Sequence, residues 1–365
     1  HNIAQQQEEV PLLSDNYTDK QVYFKAQNRK RLFMVFFLVV TIVSFVVTIG
    51  LSRYDEMSFI EAFHVLVQHL LGHPVEDDLK DYIVWTNLFP RSIGTVFVGG
   101  ALAVGGAVMQ SLMRNPLADP YTTGISSGAG LGATMAIVLG ISVIPGLTGN
   151  SALIANAFIL SLVPATVMIL LSWKKQTTPS ELILIGVGVM YFFSAFTTII
   201  MLMADPGDLG SAYMWNLGNM GALDWQNLPL IVSASVVCSL ILMMMWSKLN
   251  VVASGDKTAR SFGEDAFKIR RFGLIVISLM TAVIVCYTGT IGFVGLVAPH
   301  VVRLFIGSNM RYLIPGSFMF GAALLLVSDA ISKMLILPIG VITSIIGGPM
   351  FLMLLIKQRK QENRL

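Results

Sequence analysis

Charge is what this sequence has least of. Only 12% of its 365 residues are Asp, Glu, Lys or Arg, while 55% belong to the set Ala, Val, Ile, Leu, Met, Phe, Trp, Tyr and Cys. A soluble globular chain carries about twice that share of charge, roughly 25%, so a water-soluble enzyme is excluded. Intrinsic disorder is excluded as well, because disordered chains are poor in apolar residues. Cysteine is nearly missing: Cys238 and Cys286 both lie in apolar stretches, which leaves neither a disulfide framework nor a Cys-based metal site. The net charge of +3 is small and the basic residues form no nucleic-acid-sized patch, so no nucleic-acid partner is expected. No GxxxxGK[ST] run and no HExxH run occurs. If ATP drives the work of this chain, a separate chain must bind it, and no cofactor is expected on this one.

What the sequence has in abundance is long uncharged runs. Residues 32–51 form the first, about the 20 residues that a helix needs to cross a bilayer. The others cover residues 92–113, 121–173, 182–204, 225–247, 272–302, 312–328 and 334–356. Pro145-Gly146 and Gly149-Asn150 split the second of these into two spans. Gly289, Gly292 and Gly295 divide 272–302 into a full span and a shorter broken one. The chain therefore reads as an all-α polytopic membrane protein of about ten transmembrane helices. The first run follows a polar lead too long for a cleavable leader.

With ten spans and both termini cytoplasmic, 20 of the 24 Lys and Arg residues fall inside. Only Arg53, Lys80, Arg91 and Lys333 fall outside, as the positive-inside rule demands. The resulting organisation is a cytoplasmic segment 1–31, a membrane domain 32–357 and a cytoplasmic tail 358–365. Within the domain, loop 52–86 is extracytoplasmic and carries an amphipathic helix over 57–71. Loop 248–271 is cytoplasmic and carries both charge signs, with short pieces predicted over 250–262 and 264–269 and a break at Gly263.

Few side chains could carry chemistry. His69 and His73 share a helical face on the outer loop, so metal ligation and a solvated amphipathic face are both open. Asp329 lies in a late span, four residues before Lys333. It reads either as a functional intramembrane carboxylate or as the structural partner of that lysine. Gly99, Gly100, Gly105 and Gly106, and Gly124, Gly128 and Gly132, have the spacing of closely packed helices. Asn115-Pro116 is expected to end a helix and Asp119-Pro120 to start the next, as N-cap and first turn.

Four blocks are longer and more specific. They are Pro90-Arg91, then Gln110 followed by Arg114-Asn115-Pro116-Leu117-Ala118-Asp119-Pro120, then Gly292-Phe293 with Pro299-His300, and Gly347-Gly348-Pro349. Together they resemble the FecCD-type permeases, membrane subunits of ABC importers for iron–siderophore complexes, haem and cobalamin. The resemblance runs from about residue 32 to 357. It implies a second permease subunit, two ABC ATPase subunits inside, and a substrate-binding protein outside, in the cytoplasmic membrane of a prokaryote. It also implies that Gly255, Ala259, Arg260 and Gly263 seat the cytoplasmic loop in the ATPase. Lys333 would be a docking position for the binding protein, with Arg53 or Lys80 as a second. An iron–siderophore cargo is the expectation, followed by haem and cobalamin. An ion-coupled carrier is the rival class, and the poverty of intramembrane charge argues against it.

Overall fold

The computed structural model describes residues 15–51, 57–173 and 177–362. Among the described residues all regular structure is helical. The chain begins with α1 (Asp15–Gly50), continues through α2 (Phe59–Leu70) and the single turn α3 (Asp78–Tyr82), and reaches α4 (Phe89–Met113). Next come α5 (Ile125–Leu139), α6 (Gly149–Trp173), α7 (Pro179–Leu202) and the short α8 (Pro206–Asn216). The second half runs α9 (Leu228–Met244), α10 (Trp246–Ala253), α11 (Asp256–Ser261), α12 (Ala266–Thr288), α13 (Val294–Ile306), α14 (Met310–Leu335) and α15 (Ile339–Glu362).

Six helices are long and apolar enough to cross a membrane. A seventh span arises if α9 and α10, which meet at 60°, count as one. The helices Ile125–Leu139, Val294–Ile306 and Ile339–Met353 are apolar but shorter. α12 stops at Gly289, at φ +67°, as expected. α5 stops already at Gly140, at φ +63°, ahead of the expected Pro145-Gly146, and α6 starts at Gly149.

α4 is the centre of the molecule. Of its apolar stretch 83% is buried, against 11% for α7, so α4 sees protein on nearly every side and α7 faces outward. The reason is its small residues. A methyl group on Gly99 would collide with the Gly321 carbonyl of α14, and one on Gly106 would land on the Gly295 carbonyl of α13. Backbones this close need glycine on the facing surfaces. Gly128 and Gly132 place α5 in the same way against the Leu160 and Asn156 carbonyls of α6.

Two local expectations are corrected. Asp119 caps not the next long helix but a 3₁₀ turn, Pro120–Thr123, with Thr122 completing a capping box. Gly124, at φ +87°, separates that turn from α5. In the inner loop the helical pieces are α10 and α11, divided at Gly255 (φ +116°), while residues 266–269 already belong to α12. Gly263, at φ +76°, separates α11 from α12. Composition showed that the loop breaks at glycines, but not that Gly255 would be a break as well as Gly263.

Candidate functional site

The side chains singled out above gather at the two ends of α4 and at its crossing with α13. At the outer end the ladder widens into a π-turn, Ile83–Leu88, and Phe89 N–H bonds the Val84 carbonyl. Pro90, just beyond, has no N–H to give and its ring crowds the preceding turn, which favours such a widening. The turn delivers Arg91 to Asp329 of α14. Arg91 Nε donates to Oδ1 and Oδ2 at 3.0 and 3.2 Å, and Nη2 donates to Oδ1 at 2.6 Å. Lys333 Nζ lies 3.3 Å from Oδ2 and donates to the Thr48 carbonyl of α1 at 3.1 Å. Asp329 is fully buried. A carboxylate there is tolerable only with charge-assisted bonds of this kind.

This overturns the exposed position expected of Lys333. Only 6% of the residue is accessible, and it ties α14 to α1 instead of projecting from the outer face. Lys333 sits in the last turn of α14, where helix carbonyls favour a cation. Arg91 and Lys333 are two cations answering one carboxylate. Both line a cavity of about 500 Å³ at this end of α4, together with Asn87, Trp215, Tyr287 and Pro338. Arg91 leaves Nη1 out of its bonds to Asp329, and the cavity wall is mixed polar and apolar. The arrangement suits an uncharged or anionic guest better than a cation.

The other outer candidates are engaged elsewhere. Lys80 pairs with Glu61 at 3.6 Å and Asp77 at 4.0 Å, bracing α3 against α2. Arg53 lies outside the described residues. His69 Nδ1 meets Asp81 at 2.7 Å and its ring stacks on Trp85 at 4.1 Å, while His73 is exposed. Among the described residues no three His, Cys, Asp or Glu side chains gather into a metal-sized group. Trp85 also meets Trp225 and Phe89, and Trp225 Nε1 donates to the Trp85 carbonyl at 2.7 Å. That aromatic cluster was not read from the sequence. Trp85 and Phe89 are four apart, but Trp225 lies 140 positions from Trp85, beyond any periodicity.

At the crossing, Pro299 has no N–H for the Gly295 carbonyl one turn earlier. Gln110 Nε2 of α4 supplies the donor, 3.4 Å from the Gly295 and Leu296 carbonyls, and its Oε1 accepts from Arg303 at 3.0 Å. His300 is buried beside Phe351, and its Nδ1 has no partner. In α15 the close approach is made by Gly347, against Phe293. Gly348 meets nothing and Pro349 is exposed.

At the inner end α4 stops with Arg114 left-handed at φ +48°, one residue before Asn115-Pro116. Asn115 Oδ1 then accepts the Leu117 N–H at 2.9 Å. Gly255 of the inner loop lies beside the Arg114 guanidinium. Ala259 is fully buried against the membrane domain and not available as a seat for another chain. Arg260 is exposed, and so is Phe262 at 71%. Arg270 and Asp256, which the sequence offered only as loop charges, pair at 2.9 Å, with Arg270 buried and Asp256 partly exposed.

Comparison with known proteins agrees with this geometry. The model of the FecCD transport family matches residues 36–357. An ABC transporter permease protein of Methanocaldococcus jannaschii is 39% identical over 311 residues, 81% of this chain and 87% of that protein. The hemin transport system permease protein HmuU of Yersinia pestis is 36% identical, over 77% of this chain and 85% of its own length. The vitamin B12 import system permease protein BtuC of Citrobacter koseri is 36% identical, over 77% and 84%. A solved structure of an inward-facing metal-chelate type ABC transporter superposes with a TM-score of 0.76 at 27% identity. It covers 89% of this chain and 98% of its own. PsaBC from Streptococcus pneumoniae, at 16% identity and a TM-score of 0.53, shares the fold. The buried small-residue helix, the Gln110–Pro299 crossing and the extended match thus carry one conclusion: this multi-pass membrane protein belongs to the FecCD transport family.

Proposed function

We propose that this chain is one of two permease subunits of an ATP-driven importer in a prokaryotic cytoplasmic membrane. Two ATPase chains bind ATP inside, and a substrate-binding protein delivers cargo outside. Ten spans follow when the bent α9–α10 pair and the three shorter apolar helices join the six long ones, with α2 lying along the outer surface and both termini inside. The cargo is an iron–siderophore chelate.

The single observation that carries this reading is the outer cavity. It is large enough for part of an organic guest and is bordered by a locked ion triad in place of a titratable relay. A proton-coupled carrier needs a carboxylate free to exchange its proton, and Asp329 is held by two cations. The haem and B12 permeases among the relatives make those two chelates the competing cargoes.

The test is uptake into vesicles. The chain alone should carry nothing, and the chain with its ATPase and binding protein should accumulate ferric siderophore on adding ATP. Haem or cobalamin taken up in preference replaces the cargo assignment. Uptake by the chain alone under a pH or sodium gradient overturns the importer.

A further inference from the structure

We infer that Arg270 is a positioning residue that fixes the inner loop to the last turn of α4, so that a push on the loop moves α4 and the helices latched to it. The inference rests on the importer reading above, which supplies the ATPase that pushes.

Arg270 is 1% accessible and is the largest fully buried side chain among the described residues. Its Nε donates to the Leu112 carbonyl at 3.0 Å and its Nη2 to Asp256 Oδ1 at 2.9 Å. Each acceptor is informative. The Leu112 carbonyl is one of the last four of α4, which have no partner within the helix. Asp256 is the first residue of α11, the second helical piece of the inner loop. One planar side chain on α12 therefore sets the separation of α11 from the end of α4.

The same turn of α4 is bonded on its other sides. Ser111 Oγ donates to the Leu249 carbonyl of α10 at 3.1 Å. Gln110 holds α13 through the Gly295 carbonyl, which Pro299 leaves free, and the Leu296 carbonyl beside it. Gly273 lets α12 lie so close to Leu112 that a methyl group there would collide with it. Residues 110–112 thus receive α10, α12 and α13, and Arg270 adds α11. From Leu112 to Arg91 and the outer cavity α4 rises about 32 Å, at 1.5 Å for each residue between them.

Stability alone does not account for this guanidinium. Replacing a buried ion pair by well-packed apolar residues is often neutral or stabilising. Arg270 moreover keeps Nη1 buried with no partner, which costs stability. Apolar packing under the loop is already supplied by Leu249, Val252 and Ala259, all fully buried. What Arg270 adds is a fixed direction between the loop and α4. Contiguity by itself does not demonstrate coupling, so the measurement must separate coupling from folding.

The experiment uses the assembled transporter, permease with ATPase and binding protein, in proteoliposomes, with uptake and ATP hydrolysis measured together. Arg270→Met and Asp256→Asn should lower uptake per ATP by about tenfold, within the usual span of a coupling free energy. Hydrolysis and co-purification of the ATPase should persist. Arg270→Lys keeps the charge but not the fork, and should recover part of the ratio. The double variant should be no worse than the more impaired single one, because both remove one link. A lowered melting temperature with uptake per ATP unchanged makes Arg270 a structural residue and overturns the inference. If Arg270→Met fails to fold, Asp256→Asn, whose side chain is 28% accessible, decides by the same ratio. A wild-type transporter that hydrolyses ATP without uptake overturns the importer reading itself and is recognised before any variant is compared.

Discussion

Asp329, Arg91 and Lys333 show how much one residue's effect depends on what it leaves behind. Asp329→Asn strands two cations in the interior, and breaking a buried pair in this way costs about 3–5 kcal/mol. Lys333→Met leaves the bidentate Arg91–Asp329 pair intact and neutral, so it should cost clearly less. Thermal unfolding of the two purified variants in detergent checks the order; equal losses would mean that the three groups do not act as one triad. The sequence showed Lys333 four residues after Asp329, and that i,i+4 pairing is present. It could not show that Arg91, 238 positions away, completes the group, or that Lys333 turns inward to the Thr48 carbonyl. The docking role came from the resemblance, matched on the spacing of Asp329 and Lys333, and spacing alone does not say whether a charge near a helix end is buried.

Elements were more legible than side-chain partnerships, because periodicity and breaks are local. The outer amphipathic helix expected over 57–71 is α2, and its start is written in Ser58 and Glu61. The Ser58 hydroxyl accepts the Glu61 N–H at 3.3 Å and Glu61 accepts the Ser58 N–H at 2.8 Å. Those bonds to Ser58, with Lys80 adding to them, hold the Glu61 carboxyl below its ordinary 4.5. A group depressed by folding contributes stability above its unfolded value and loses it as pH falls through the folded one. The first turn of α2 should therefore be best protected above about pH 4.5 and fray below it. Hydrogen exchange at the Glu61 amide, compared with amides late in α2, measures this; protection that ignores pH would assign the turn's stability to packing alone. The small-residue crossings of α4 were legible for a similar reason, since glycine spacing within one helix is visible in one stretch of sequence. The partner backbones, Gly295 and Gly321, were not, because nothing local says which helix a groove receives. The inner loop lies between these cases. Its glycines announced breaks, yet only the fold shows that Ala259 faces inward and Phe262 outward.

At the scale of the whole molecule, the ion triad couples the first half of the chain to its last quarter, with a consequence for biosynthesis. The chain is made from its N-terminus, so Arg91 emerges long before Asp329 exists. Until then its guanidinium has no anion and must remain at the outer water interface, because a charge inside hydrocarbon is costly. The groove that Gly106 keeps open for α13 is likewise unfilled until residue 295 has been added. The first helices can thus insert, but α4 cannot settle at its final depth. Burial of the central helix is deferred until α14 arrives with Asp329 and Lys333, and Lys333 at the same time takes hold of the Thr48 carbonyl of α1. Ribosome-arrested chains should show this as a step. Those stopped before residue 329 should remain open to protease at the outer end of α4, and those long enough to insert α14 should resist it. Resistance appearing smoothly with length would mean that lipid, not the triad, sets the depth of α4. A finished permease would then differ from an unfinished one in whether a single arginine has met its carboxylate.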